Sequence, residues 1–109
     1  MISIQTMEKT RETVEKFHLE YYVLSDLGAK VATQYNLVYT FPEIARPVYL
    51  GLGIDIPAHN GDDSYLLPIP AVFVLDKGGI IQWVHVAYDH TDLALPEEIL
   101  AAVKTIKNL

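Results

Sequence analysis

The 109-residue chain contains no cysteine. Disulfide bonds, thiolate nucleophiles and redox-active thiol pairs are therefore excluded for this chain, because each of them needs a cysteine sulfur. The chain also lacks a compact metal-ligand motif such as His-Glu-x-x-His and a glycine-rich loop that could cradle phosphate. No Ser-His-Asp arrangement or pair of catalytic carboxylates can be recognised from spacing.

Basic residues and long apolar runs are also scarce. Eight Lys and Arg stand against fourteen Asp and Glu, which gives a net charge of −6. An acidic surface disfavours the phosphate backbone of nucleic acids as a partner. No run approaches the roughly 18 apolar residues that span a bilayer, and the N-terminus lacks the basic and apolar stretches of a signal peptide. We expect a soluble, cytoplasmic protein with neither a membrane nor a nucleic acid as its partner.

One β-hairpin is the clearest local prediction. Two runs rich in β-formers flank residues 76–79 (DKGG), and a tight turn between antiparallel strands favours glycine where φ is positive. The apolar residues 72–75 suit a strand that is covered on both faces. Gln82 and His85 make the second strand look like a sheet edge.

The rest of the chain alternates short strands and helices, which indicates an α/β fold of one domain, residues 1–109. Asn36 is a candidate left-handed terminator, and the prolines and glycines of residues 38–65 interrupt long elements. The expected elements are a strand in residues 1–5, a helix from Met7 to near His18 capped by Thr6, a strand at 21–24, a helix at 29–35, a short helix around 46–52 and a final helix from Pro96. The apolar faces expected for these helices are Met7, Val14 and Phe17; Leu27, Val31 and Tyr35; and Ile99, Val103 and Ile106.

Several stretches together resemble a known family. Residues 68–81 (PIPAVFVLDKGGII) resemble the strand, turn and strand that follow the cis-proline of thioredoxin-like proteins. They are closest to the peroxiredoxin-like members of the alkyl hydroperoxide reductase and thiol-specific antioxidant (AhpC/TSA) group. Residues 59–64 (HNGDDS), 87–92 (AYDHTD) and 96–100 (PEEIL) look like the same subgroup. The likeness covers nearly the whole chain, which resembles only the C-terminal two thirds of such a protein.

The resemblance implies a thioredoxin-like α/β fold, truncated on its N-terminal side, with a mixed sheet, a C-terminal hairpin and a final helix. In the family, a further strand lies in the middle of the sheet, and the helix after it begins with the peroxidatic cysteine. The strands containing Ile2 and Val72 would flank that missing strand. The chain therefore resembles a sheet without its centre.

A sheet without its central strand leaves backbone groups unpaired, at a cost of about 1–3 kcal/mol for each buried group. A second copy could supply the pairing by strand exchange, the two half-sheets could close on each other, or a longer parent chain could have been shortened. A homodimer is the partner we expect first. A separately encoded N-terminal half is the alternative partner.

Ile69 and Pro70 are the candidate substrate-binding residues, because Pro70 matches the family's cis-proline, whose backbone binds extended peptide or thiol substrates. The alternative is a proline that simply begins a strand. More typical peroxiredoxins have at this place an arginine that polarises the peroxide. We assign no catalytic residue, since the threonine and cysteine of the family's site match nothing in this sequence.

Two groups of residues have metal-capable side chains, and the chain is rich in tyrosine. The first group, which surrounds the Asn60-Gly61 pair, lies in a stretch that is more typical of a turn than of a metal site. We therefore expect no metal and no cofactor. The seven tyrosines and Trp83 fit either core packing or a protein interface. The metal-capable residues are His59, Asp62 and Asp63, and His85, Asp89, His90 and Asp92.

Three functions remain open from the sequence. The resemblance implies a peroxiredoxin-like antioxidant or thiol oxidoreductase, which without cysteine we expect to be inactive as a peroxidase. The second is a non-catalytic, self-associating interaction module or one half of a split protein. The third is a metal-dependent enzyme that uses the His and Asp residues near the hairpin.

Overall fold

The computed structural model describes residues 1–89 and 91–106. The chain divides into two compact units, Met1–Pro68 and Ile69–Leu109. No helix among the described residues has the length and apolar character needed to cross a membrane.

The first unit begins with a βαβ arrangement. Strand β1 (Ile2–Ser3) pairs in parallel with β2 (Leu24–Ser25), and helix α1 (Met7–Phe17) connects them. The Thr6 hydroxyl accepts a backbone N–H from the first turn of α1, and His18 ends the helix in the left-handed region with φ 52°. The cap and the helix end agree with the sequence prediction, and β2 begins three residues later than predicted.

Helix α1 buries its middle rather than the whole predicted face. Thr10 is buried and Val14 half-buried, whereas Met7 and Phe17 are exposed. The reason is length: an eleven-residue helix spans about 16 Å, and a two-residue strand about 7 Å. The pair β1–β2 is too short to cover both ends of the helix, so Met7 and Phe17 at its two ends stay exposed.

Asp26 organises the next segment. Its buried carboxylate accepts the backbone N–H groups of Val31 at 3.0 Å and Ala32 at 2.9 Å, in the first turn of α2 (Lys30–Gln34). A 3-10 turn, Leu27–Ala29, precedes α2, and the left-handed backbone of Gly28 (φ 73°) and Ala29 (φ 55°) interrupts the helical path between Leu27 and α2. Leu27 therefore lies outside the helix that contains Val31. Both side chains are exposed, which corrects the predicted apolar stripe.

Residues 38–68 hold more regular structure than predicted. The prediction of a short helix is confirmed by α3 (Arg46–Gly51), which follows a 3-10 turn at Glu43–Ala45. Helix α4 (Ile56–Asn60) and the antiparallel pair β3 (Val38–Thr40) and β4 (Leu66–Pro68) were not predicted. Asn36 has φ 57°, as expected of a left-handed terminator.

The second unit is the predicted hairpin with the final helix. Strands β5 (Ala71–Leu75) and β6 (Ile81–Val86) are antiparallel, with a register shift after Val74. The Asp76 carboxylate closes the turn by accepting the N–H groups of Gly78 at 2.8 Å and Ile80 at 3.0 Å. Gly79 has φ 80°, so a glycine takes the positive φ that was predicted for this turn.

Helix α5 (Pro96–Thr105) packs against β5 and confirms the predicted final helix. Ala102 is its buried residue, and Ile99 and Val103 are half-buried. Leu75 in β5 is 47% exposed, so this strand is not covered on both faces along its whole length as predicted.

The strands of the described residues form three separate two-stranded sheets, one parallel and two antiparallel. The prediction of a single mixed sheet is therefore corrected. The first two sheets use strands of only two or three residues, which offer few ladder hydrogen bonds for a further neighbour. Among residues 1–89 and 91–106, no third strand pairs with the β5–β6 hairpin.

Asp76 makes the hairpin sensitive to acid. Hydrogen bonds from the Ile80 N–H, the Gln82 amide and the Gly78 N–H lower the pKa of its carboxyl. Since the folded pKa is below the unfolded value of about 3.9, the stabilisation is complete above that value and is lost as pH falls through the folded pKa. Asp76→Asn should unfold at lower denaturant concentration than the wild type at pH 7, with the difference shrinking below about pH 4. Urea unfolding of both proteins between pH 2 and 7 tests this, and a constant difference would contradict it.

Asp26 should contribute more stability than an exposed carboxylate. Asp26→Ala removes two charge-assisted caps from α2 and should lower the free energy of unfolding by about 2 kcal/mol. The matched control is Asp63→Ala, whose side chain is exposed and should change stability by less than about 0.5 kcal/mol. Urea denaturation followed by circular dichroism measures both. Equal effects of the two substitutions would be inconsistent with this role of Asp26.

Candidate functional site

The two candidate substrate-binding residues lie at the start of the hairpin. The carbonyl of Pro70 accepts the N–H of Ala87 at 2.8 Å, which extends the β5–β6 ladder by one pair. The described residues contain no cis peptide bond, so the Ile69–Pro70 bond is trans, whereas the resemblance implied a cis bond. The Pro70 carbonyl is thus already used by the hairpin. Substrate binding by Ile69 and Pro70 stays a prediction of the resemblance.

Two of the three metal-capable residues of the first group, His59 and Asp62, make local hydrogen bonds. The Nδ1 atom of His59 lies 2.8 Å from the carbonyl oxygen of Asp55, within α4 and its cap. The Asp62 carboxylate accepts the backbone N–H of Ser64 at 3.1 Å and its hydroxyl at 2.7 Å. This arrangement is a side-chain-stabilised turn, as the sequence alternative proposed.

The second group begins in β6 with His85 and continues into the segment after that strand. The Nε2 atom of His85 is 2.6 Å from the Asp92 carbonyl oxygen and 3.8 Å from its Oδ1, and the His85 ring stacks on Trp83 with centroids 6.2 Å apart. Asp89 accepts hydrogen bonds from Thr91. His90 lies outside the described residues. Among residues 1–89 and 91–106, no three His, Asp or Glu side chains are placed to share a metal ion.

Arg46 forms a cluster that sequence reasoning missed. Its Nε and Nη2 atoms donate to the Phe41 carbonyl at 3.3 and 3.1 Å, and its guanidinium lies 3.9 Å from the ring centroid of Tyr65. Tyr49, one turn after Arg46 in α3, packs edge-to-face on Phe41 with ring centroids 4.7 Å apart. Nη1 of Arg46 is 3.9 Å from Glu43. The cluster fixes α3 to the β3–β4 pair.

The space beside this cluster is too small for an organic substrate. The cavity lined by Phe41, Arg46, Tyr49 and Tyr65 has a volume of about 10 Å³. Small-molecule sites usually measure about 300–1,000 Å³, and even a single water needs about 10–15 Å³. The cluster therefore packs and anchors α3, and the cavity beside it has no room for an organic molecule.

Comparison with protein families decides the lineage. The model of the AhpC/TSA family matches residues 1–84, which is more than half of the chain. The chain belongs to the AhpC/TSA family. No curated protein matches the sequence. The resemblance stated from residues 68–81 is thereby confirmed, and membership of the AhpC/TSA family implies a thioredoxin-like fold.

The tyrosines of this AhpC/TSA protein are not all core residues. Tyr22 is 89% and Tyr88 81% exposed, and Tyr21, Tyr39 and Tyr49 are also exposed. Tyr65 is half-buried beneath the Arg46 guanidinium. Core packing therefore does not account for most of the tyrosines, and a tyrosine-rich interface stays a prediction.

Arg46→Lys should destabilise this AhpC/TSA chain despite keeping the charge. Lysine cannot place two N–H donors on the Phe41 carbonyl or stack a planar group on Tyr65, so we expect a loss of about 1–2 kcal/mol in the free energy of unfolding. Arg11→Lys, on the exposed face of α1, is the matched control and should be close to neutral. Chemical denaturation compares the two variants. A neutral Arg46→Lys would refute the anchoring role.

Proposed function

We propose that this AhpC/TSA protein is inactive as a thiol peroxidase and acts as a non-catalytic module that associates with itself. The observation that carries the first half is the absence of cysteine. In a thiol peroxidase, the thiolate sulfur attacks one peroxide oxygen, the O–O bond breaks, and a sulfenic acid and an alcohol or water result. The chain has no sulfur that can enter this cycle and be regenerated by a second thiol.

The two methionines are the remaining sulfur atoms of the chain. Each can take one oxygen atom from a peroxide and become a sulfoxide, but thiols alone do not return the sulfoxide at a useful rate, since reductase enzymes do so. Peroxide consumption by this chain is therefore stoichiometric and limited by the number of methionines.

Exposed apolar surface supports the second half of the proposal. Monomeric soluble proteins rarely expose large contiguous apolar patches, and an open strand edge invites pairing with another chain. The β5–β6 hairpin has two strands in the described residues, and β5 ends with the exposed Leu75. Each unit exposes further large apolar side chains. The most exposed are Tyr22, Ile44, Leu52 and Tyr88, followed by Phe17, Val48, Ile80 and Leu50.

A homodimer that exchanges strands would cover such edges with a second copy. The alternative partner is a complementing segment that carries the family's central strand and cysteine, on a separate chain. The chain belongs to the AhpC/TSA family but has no cysteine of its own, which favours a partner that supplies one as the second candidate. The two candidates can be distinguished by the mass of the purified chain, because a homodimer forms from the pure chain and the complex with a complementing segment does not.

Two readings on the purified chain test the proposal. With hydrogen peroxide and a thiol donor in excess, the peroxide consumed beyond that in the same mixture without protein should stop at or below two equivalents per chain, which is the methionine count. Light scattering across a dilution series should approach about 24 kDa at high concentration, twice the 12.2 kDa of the chain. Met7→Leu is the control for peroxide, and should lower the limit by one equivalent.

Sustained turnover beyond two equivalents would overturn the inactivity. A folded chain of 12.2 kDa at every concentration would overturn self-association. A stable complex of that monomer with a cysteine-containing segment of an AhpC/TSA protein would then support the second candidate in its place.

A further inference from the structure

Asn60 and Gly61 place a chemically labile pair of groups at the end of helix α4, and no other asparagine of the sequence is followed by glycine. The backbone nitrogen that follows an asparagine can attack the side-chain carbonyl carbon. A bond forms between these two atoms, the bond from that carbon to the side-chain nitrogen breaks, and ammonia leaves with the amide proton. Water then opens the resulting succinimide ring to aspartate or isoaspartate. Glycine favours the ring closure because it has no Cβ atom in the way.

The fold holds both reacting groups of this pair in an unreactive arrangement. The Gly61 N–H donates to the Pro57 carbonyl at 2.8 Å, so the attacking nitrogen keeps its proton. The Asn60 side chain is 7% exposed, and its Nδ2 atom donates to the Leu66 carbonyl at 3.4 Å. As the last residue of α4, Asn60 has a helical backbone, which does not direct the next nitrogen at the side-chain carbon. Ring closure therefore requires α4 to open.

Helix α4 has only five residues and depends on its cap. The Asp55 Oδ1 atom accepts the Ala58 N–H at 3.3 Å at the start of the helix. Helices of this length are not stable by themselves, and local opening costs less free energy than global unfolding. The frequency with which α4 opens should therefore determine how often the Asn60 side chain can react.

The product of the reaction fits the closed site poorly. An aspartate at residue 60 has no donor for the Leu66 carbonyl, and its charge would lie in a largely buried place. Among the described residues, the space beside Asn60 is lined by Asp62 and Ser64 and by no basic side chain. A buried charge without a partner is costly, so the modified chain should favour the open form of α4.

Close packing connects this site to the start of helix α1. A Cβ atom at Gly61 would lie 2.9 Å from the Cγ2 atom of Thr6, and the Thr6 N–H donates to the His59 carbonyl at 2.9 Å. Thr6 is also the cap of α1. Isoaspartate inserts the side-chain methylene carbon into the backbone at residue 60, for which this packing leaves no room. The modification should therefore loosen the start of α1 as well as α4.

We propose that Asn60 is a site of spontaneous deamidation whose rate is controlled by the opening of α4, and that the modified chain cannot restore the contacts of Asn60. The chain then carries an irreversible timer, since each opening of α4 exposes Asn60 to a change that is not reversed. This inference concerns the first unit alone and does not depend on self-association.

Deamidation of the full chain at mildly basic pH and constant temperature tests the control by α4. Mass spectrometry of the peptide that contains residues 60 and 61 gives the rate. The rate should be about 10-fold or more lower in buffer than in concentrated urea, because only open molecules react. Asp55→Ala, which removes the cap of α4, should react about 5-fold faster than the wild type in buffer and at the wild-type rate in urea.

Two matched variants separate the cap from the charge. Asp55→Ser keeps a capping hydroxyl and should react at close to the wild-type rate. Asp63→Ala removes an exposed carboxylate nearby and should change the rate by less than about 2-fold. Equal wild-type rates in buffer and in urea would overturn the control by the fold. Equal rates of Asp55→Ala and the wild type in buffer would overturn the control by α4.

The aspartate product can be made directly as Asn60→Asp. Asn60→Ala is its control, because it loses the same hydrogen bond to Leu66 without adding a charge. Hydrogen exchange in the peptides of α4 and the start of α1 should be about 5-fold or more faster in Asn60→Asp than in Asn60→Ala. An Asn60→Asp chain that fails to fold beside a folded Asn60→Ala chain would also support the proposal. Equal exchange in the two variants would overturn the claim that the contacts cannot be restored.

Discussion

Limited burial of apolar side chains is the constraint on which the rest of this structure depends. No large side chain is fully buried among the described residues. With so little core, the elements depend on local polar contacts for their geometry. Thr6, Asp26, Asp55 and Asp76 cap helices or close the hairpin turn, and Arg46 anchors α3. The buried apolar residues are Ile4, Ala29 and Phe41 in the first unit and Val74, Ala87 and Ala102 in the second.

The same constraint connects the fold to the proposed function. Apolar residues that find no place in a small core stay on the surface, where another chain can cover them. The chain belongs to the AhpC/TSA family, yet it has no thiol, and the cavity beside Arg46 measures only about 10 Å³.

Local signals in the sequence were sufficient for much of the fold. The Thr6 cap, the left-handed Asn36 and the Asp76 turn each depend on a few neighbouring residues, and each is found where it was predicted. The family followed from the motif at residues 68–81. Contacts between distant residues could not be predicted in this way. Tyr65 meets Arg46 across nineteen positions, and the expected single mixed sheet is three short pairs because strand pairing is set by tertiary contacts.

The most direct test of the account is hydrogen exchange of the unlabelled, full-length chain at concentrations below and above its association midpoint. If exposed apolar surfaces are covered by a second copy, peptides that contain α3 and the β5–β6 hairpin should exchange more slowly at high concentration. The peptide of α1 should serve as an internal reference with a smaller change. Exchange that is independent of concentration in every peptide would contradict the account.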